Sequence, residues 1–192
     1  GRLLLNVVSG GEDAEQRRFG DWLDHDERYA RTGEFIKIVK DIWTTDSVDF
    51  DGDYYRIRDG RVSEPPNPLP QLYFGGSSAA ALPIAAQYVD SYLTWGEPPQ
   101  AASAKIAKVR ALADTFGRTL RYGIRLHTMS RDTSAEAWAV AEKLLSELTP
   151  EQIDQATRSH AASESEGQRR MAALHGGRVD ALEIYPNLWA GV

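Results

Sequence analysis

The chain contains no cysteine, no apolar run of about 18 residues, and no excess of basic charge. Without cysteine there are no disulfides and no thiolate metal sites within these residues, a composition that agrees with a reducing, cytosolic setting. Without a long apolar run or a charged-then-apolar leader, neither a membrane span nor a secretory signal is visible. A net charge of −6 with a pI near 5.3 argues against a binder of nucleic-acid backbone, which needs a basic face. The four histidines are scattered without metal-ligand spacing, so no metal site is expected. The chain starts at Gly1 with strand-like sequence and no Met, and the expectation is that the true N-terminus lies elsewhere.

What is present fits one soluble domain: 192 residues, 42% hydrophobic, suffice for a sizeable core. Arg2–Val8 is a nearly continuous apolar run of the kind a strand buried on both faces shows, and Ser9-Gly10-Gly11 ends it. Residues Asp26 to Trp43 carry apolar side chains near helical spacing, with Asp24 or Asp26 as N-cap. Residues Val48–Ile57 alternate around an Asp51-Gly52 turn signal and predict a small hairpin outside the main architecture.

The proline-rich stretch Pro65–Pro70 then leads into a strand at Gln71–Phe74. A helix capped by Ser77 or Ser78 is expected to run to about Tyr88, with Pro83 sitting uncomfortably late in it. Further strands are predicted at Asp90–Trp95 and Leu120–Met129, and further helices at Pro98–Phe116 and Ser134–Leu148. This alternation is the signature of parallel βα units, which suit part of an eight-stranded barrel or part of an open doubly wound sheet. From Thr149 to Leu182 the sequence turns polar and glycine-broken, apart from a helical stretch at Glu151–His160; it reads as a long mobile insertion and a candidate active-site lid.

The most informative stretch is Arg121-Tyr122-Gly123-Ile124-Arg125-Leu126-His127-Thr128-Met129. As a strand it places Arg125 and His127 on the same side, a permanent cation beside a titratable base. A structural salt bridge with a satisfied core histidine is the commoner arrangement for such a pair. Gly75-Gly76-Ser77-Ser78 joins a strand to a helix start, where free N–H groups, hydroxyls and the helix dipole favour an anion, although an ordinary serine-capped turn has the same composition. His25 and Tyr29 are one helical turn apart on one face. Tyr92 and Trp95 read primarily as core aromatics, and His160 and His175 receive no role.

Six motifs in order, Asn6-Val7-Val8-Ser9-Gly10, Leu23–Tyr29, Leu72–Ser78, Tyr92–Pro99, the Arg125–His127 strand and Pro186–Val192, resemble the alkanesulfonate monooxygenases of the bacterial-luciferase-like, reduced-flavin-dependent superfamily. The resemblance spans the chain. It implies an α/β fold, a (β/α)8 TIM barrel of the luciferase-like type, with this chain carrying about its fourth to seventh strands as one partial domain, residues 1–192, including a mobile lid at 149–182. It implies FMN, supplied as FMNH2 by a separate NAD(P)H-dependent flavin reductase, and an alkanesulfonate substrate whose carbon–sulfur bond is cleaved to sulfite and an aldehyde.

By the same resemblance, Asn6, Ser9, His25, Tyr29, Gly76, Ser77 and Ser78 bind the flavin, the Gly75–Ser78 turn contacting its phosphate. Arg125 and His127 are the catalytic pair, the arginine for the sulfonate and the histidine for proton exchange. Ser9 stands where many relatives have threonine, and Tyr185 where many have a small hydroxyl residue. A family cysteine and a second arginine fall outside residues 1–192, so the stretch is not expected to be competent alone. The family also implies a cytoplasmic homo-oligomer, a dimer or tetramer. A relative acting on methanesulfonate, a sulfone or an alkane, or a flavin-binding barrel without catalysis, fits the same motifs.

Overall fold

The structure is a computed structural model that describes residues 3–162, 165–176 and 178–191. Arg2, Ser163, Glu164, Gly177 and Val192, which belong to stretches singled out above, lie outside the described residues, as does the side chain of His160.

In chain order the elements are β1 (Leu4–Val7), α1 (Asp13–Arg18), α2 (His25–Thr44), β2 (Val48–Asp51), β3 (Arg56–Gly60), β4 (Gln71–Phe74), α3 (Ala81–Tyr88) and β5 (Ser91–Trp95). They continue with α4 (Pro99–Thr115), β6 (Arg121–Arg125), α5 (Ser134–Ser146), α6 (Pro150–Ala162), α7 (Glu166–His175), β7 (Glu183–Tyr185) and β8 (Leu188–Trp189). Strands β1, β4, β5 and β6 form one parallel sheet in that order, the α/β arrangement the alternating pattern predicts. The β2–β3 hairpin stands apart as expected; the Glu34 carboxylate of α2 fastens it by accepting the N–H groups of Asp53, Tyr54 and Tyr55 at 2.8–3.0 Å.

Alternation along the strands creates two chemically different faces. Leu5, Val7, Leu72, Phe74, Tyr92 and Tyr122 point to the helices and pack with Ile36 of α2, Ile84 and Ala85 of α3, and Val109 and Ala113 of α4. Each fully buried large apolar side chain in that layer contributes about 1.5–3 kcal/mol. The opposite face carries the intervening residues, and the register sets Asn6 against Tyr73 and Trp95 against Arg125. Leu4 on this face is 63% exposed.

Local chemistry decides the boundaries. A capping box closes the start of α2: Glu27 N–H donates to Asp24 Oδ1, and the Asp24 N–H to Glu27 Oε2, each at 2.8 Å. Asp24, not Asp26, is therefore the cap. Helix α3 begins at Ala81, later than the sequence suggests, and Pro83 consequently falls in the first turn, where a missing N–H costs nothing. Ser78 does act at this helix start, its hydroxyl and carbonyl accepting the Ala81 N–H at 3.3 and 3.0 Å.

Strand β6 stops at Arg125, four residues short of expectation, because its ladder partner β5 ends at Trp95 and Gly96 turns away. His127 is thus outside the sheet. Helix α1 and the β7–β8 hairpin are absent from the sequence-based reading. The polar 149–182 segment includes helix α7 as well as the foreseen helix at α6.

Among the described residues no helix is long and apolar enough to cross a membrane, and no cluster of three His, Cys, Asp or Glu side chains is placed to hold a metal.

The connection between α1 and α2 is tied down by Asp21, whose two carboxylate oxygens accept from Arg31 at 3.2 and 2.5 Å. The Arg31 hydrogen bond holds the Asp21 carboxyl below its ordinary range, against some opposing desolvation. A carboxyl pKa lower in the folded than in the unfolded chain adds stability that is present at neutral pH and lost as pH falls below about 4. We expect Asp21→Asn to flatten the acid limb of the urea midpoint plotted against pH; an acid limb unchanged in the variant would remove Asp21 as its source.

Candidate active site at the C-terminal ends of the strands

Parallel strands end together, so the segments after β1, β4, β5 and β6 meet at one edge of the sheet. After β1, the Ser9 hydroxyl donates to Thr32 Oγ1 of α2 at 2.8 Å, since the Thr32 proton is given to the Arg28 carbonyl. Ser9 keeps its lone pairs for other donors. Asn6 lies in β1 on the face opposite the helices, exposed and level with Tyr73.

The first turn of α2 brings His25 edge-on to Tyr29, with ring centroids 4.9 Å apart. His25 Nδ1 lies 2.6 Å from Asp26 Oδ1, so the Asp26 carboxylate orients the ring. Tyr29 in turn packs edge-on against Phe74, the last residue of β4, and its phenol lies near Ser78 in the turn beyond it. Burial raises the Tyr29 phenol above its ordinary pKa, and the nearby Ser78 hydroxyl opposes that rise. His25, Tyr29 and Ser78, distant in sequence, form one cluster.

The Gly75–Ser78 turn is compressed onto the core. A Cβ on Gly76 would lie 2.7 Å from Ala81 Cβ and 2.8 Å from the Phe74 ring, so only glycine fits there. Among the described residues, the N–H groups of Ser77 to Ala80 have no hydrogen-bond partner, and they precede the first turn of α3. Partnerless amides, two hydroxyls and a helix start are a donor set suited to an anion such as a phosphate monoester. These residues fit the phosphate of a flavin mononucleotide.

Helix α7, within the segment that reads as a lid, lies across these strand ends. A Cβ on Gly167 would come 3.2 Å from the Trp95 indole, and Ser165 Cβ is 3.4 Å from the corresponding position on Gly11. Arg170 donates to the Ser77 hydroxyl and has its Nε 3.7 Å from Glu97 Oε1. Glu97 follows β5 and is ion-paired with Lys105 of α4, whose ammonium also donates to Thr94 Oγ1 at 2.9 Å. Both members are buried, and burial pushes the lysine pKa down while the glutamate hydrogen bond pulls it back. Tyr92, fully buried, is also raised by desolvation.

Arg125 ends β6 opposite Trp95, exposed, and has no hydrogen-bond or ion-pair partner among the described residues; the same is true of His127. The expectation that the two share a sheet face and a pocket is corrected on one point: the ladder ends between them. The structural salt bridge, the commoner fate of such an arginine, does not form.

Sequence reasoning passed over Glu97, Lys105 and Arg170. One signal was available: Lys105, Val109 and Ala113 follow one another at intervals of four on the buried stripe of α4, where a lone charge needs a buried partner. Arg170 offers no such signal, because its meaning depends on where α7 docks.

The sheet, the polar strand ends and the glycine-tight turn define an α/β protein with a donor set suited to an anion at the C-terminal edge of parallel strands. The chain belongs to the luciferase-like monooxygenase family, whose profile matches residues 1–192. Among solved structures it is similar to riboflavin lyase RcaE, bound to modified FMN and riboflavin, with a TM-score of 0.70 and 23% identity over 82% of this chain and 41% of that one. It is similar to the long-chain alkane monooxygenase LadA, with a TM-score of 0.70 and 19% identity over 80% of this chain and 42% of that one. An F420-dependent secondary alcohol dehydrogenase, in complex with an F420–acetone adduct, gives a TM-score of 0.58 and 25% identity over 65% of this chain and 39% of that one. The chain thus spans about two-fifths of the length of these neighbours.

The buried pair makes a stability prediction. Lys105→Met leaves the Glu97 carboxylate buried without its nearest cation and should cost about 3–5 kcal/mol, whereas adding Glu97→Gln should recover most of the loss. Urea unfolding of the single and double variants measures this; strictly additive losses would show that the two charges are not coupled.

Proposed function

We propose that the chain is the flavin-binding and substrate-facing part of a two-component monooxygenase that cleaves alkanesulfonates to sulfite and aldehyde. A separate NAD(P)H-dependent reductase would supply FMNH2. The observation that carries this reading is the approach of Tyr29 to Ser78 beside the partnerless Ser77–Ala80 amides. Two flavin contacts implied by the family resemblance, far apart in sequence, meet at an anion cradle.

The reduced flavin supplies two electrons and activates dioxygen, one oxygen atom going to the aldehyde and the other to water. The rest falls to this chain. The Ser77–Ala80 amides and the Ser77 hydroxyl hold the phosphate, while His25 and Tyr29 flank the flavin on the α2 side. Asn6 and Trp95 line the sheet face between the strand ends. Arg125 receives the sulfonate with its planar fork and fixes the carbon–sulfur bond relative to the flavin. His127, two residues further along the chain, holds or releases a proton as the substrate carbon is oxidised. Segment 149–182 covers the site and keeps water out. The whole protein works as a cytoplasmic homo-oligomer in this reading.

The likeness to the F420-dependent dehydrogenase supports a second reading, a phosphate-bearing deazaflavin in the same cradle. Sulfite release from alkanesulfonates by full-length protein supplied with FMNH2 tests the first reading. Binding of F420 in preference to FMN would favour the second, and a superfamily relative with another substrate, or a barrel that only binds flavin, would give no sulfite.

Arg125→Ala should lower kcat/KM for sulfonates by roughly ten- to two-hundred-fold, the loss of a charge-assisted contact, and leave FMNH2 affinity nearly unchanged. Stopped-flow binding and sulfite assays separate the two; unchanged sulfonate kinetics would end the assignment. His127→Ala should shift the pH profile of kcat, and a superimposable profile would remove it from proton transfer. Replacing Ser77 and Ser78 together by Ala should weaken FMN more than riboflavin, whereas equal losses would point to damaged folding.

A further inference from the structure

Arg170 is poorly satisfied where it stands. Its Nη2 donates to the neutral Ser77 hydroxyl, and its Nε is buried with no hydrogen-bond acceptor. Two carboxylates approach it, Glu97 at 3.7 Å and Glu166 at 3.9 Å, and neither is within hydrogen-bond distance of Nε. Glu97 is already paired with Lys105, and Glu166 with Arg169 at 2.9 Å. Two cations therefore face the single buried carboxylate of Glu97, and the excess positive charge lies against the Ser77 turn.

Two other polar atoms in this nook are orphaned. Tyr92 Oη and Glu97 Oε2 are buried without hydrogen-bond partners, in residues 0% and 4% exposed. The Tyr92 hydroxyl feels both Arg170 and Glu97. The guanidinium's Nε has no acceptor, its two carboxylates stand no closer than 3.7 Å, and the partnerless Ser77–Ala80 amides lie beside it, a donor set with room for a closer anion.

We propose that Arg170 is a phosphate-reading latch: a phosphate monoester held by the Ser77–Ala80 amides draws the guanidinium into a charge-assisted pair and thereby fixes α7 over the strand ends. This rests on the flavin reading above and adds to it a residue of the lid that discriminates phosphorylated from unphosphorylated flavin. The mechanical link is short. Gly167, three residues before Arg170, lies flat on Trp95 because no side chain intervenes, so the position of the guanidinium and the cover over Trp95 move as one rigid helix. Phosphate binding and closure of 149–182 are then thermodynamically linked, each favouring the other. A flavin without phosphate would occupy its ring site and leave the cover unfixed.

The test uses full-length protein under anaerobic conditions, titrated by fluorescence with reduced FMN and reduced riboflavin, and probed by limited proteolysis within 149–182. Arg170→Gln should lower FMN affinity by about ten- to a hundred-fold, as loss of a charge-assisted contact does, and change riboflavin affinity less than about two-fold. In the unaltered protein FMN, but not riboflavin, should slow cleavage within 149–182, and Arg170→Gln should abolish that difference. Arg170→Lys, which keeps the charge and loses the fork, should fall between the two and carries the comparison if the glutamine variant does not fold. An unchanged preference for FMN with FMN protection intact in the variants would overturn the latch and leave the flavin reading standing. Failure of the unaltered protein to bind either flavin would overturn both.

Discussion

The buried carboxylate of Glu97 is the constraint on which the arrangement of the site depends. It sits at the turn between β5 and α4 with 4% exposure, and a charge so placed persists only if cations are brought to it. Lys105 comes from within α4 and fixes how that helix enters the layer, and its second bond to Thr94 ties the same ammonium to the strand. Arg170 comes from α7, more than sixty residues later in the chain, and on its way to the carboxylate it touches Ser77. One desolvated charge thus draws together the β4 turn, the β5 turn, α4 and the segment that covers them. Apolar burial alone would hold the helices against the sheet without specifying this meeting.

Beneath that cluster, the division of labour between the two sheet faces follows from the period of the strand. Residues such as Phe74 and Tyr92 enter the helical layer, and their neighbours Tyr73, Leu93 and Trp95 are left on the other side with Asn6 and Arg125. A ligand lying on that second face meets residues from four strands without any of them leaving the ladder. The anion turn, at the edge, is anchored by Phe74 beneath Gly76 and by Tyr29 against Ser78.

Much of this was legible in the residues. The four parallel strands, the helices between them and the detached hairpin follow from apolar runs, amphipathic spacing and an Asp-Gly turn, because each is a local pattern. The strand-to-helix turn at Gly75–Ser78 and the pairing of His25 with Tyr29 were visible for the same reason. Three boundaries were not. Helix α3 began later than its serine cap suggested, which placed Pro83 in its first turn; β6 lost its partner at Trp95, leaving His127 beyond the ladder; and α7 formed in sequence too polar to announce a packed helix.

The sequence by itself determined the element order, the face each strand residue occupies and the donor chemistry of the β4 turn, since all depend on neighbours within a few positions. The tertiary structure alone decided that Ser78 meets Tyr29, that Lys105 finds Glu97, and that Arg170 arrives at Ser77. Those contacts join residues whose separation along the chain carries no periodic signal. They are selected by the cost of burying charge and by the close approach that Gly76 and Gly167 permit, and both exist only once the layers are packed.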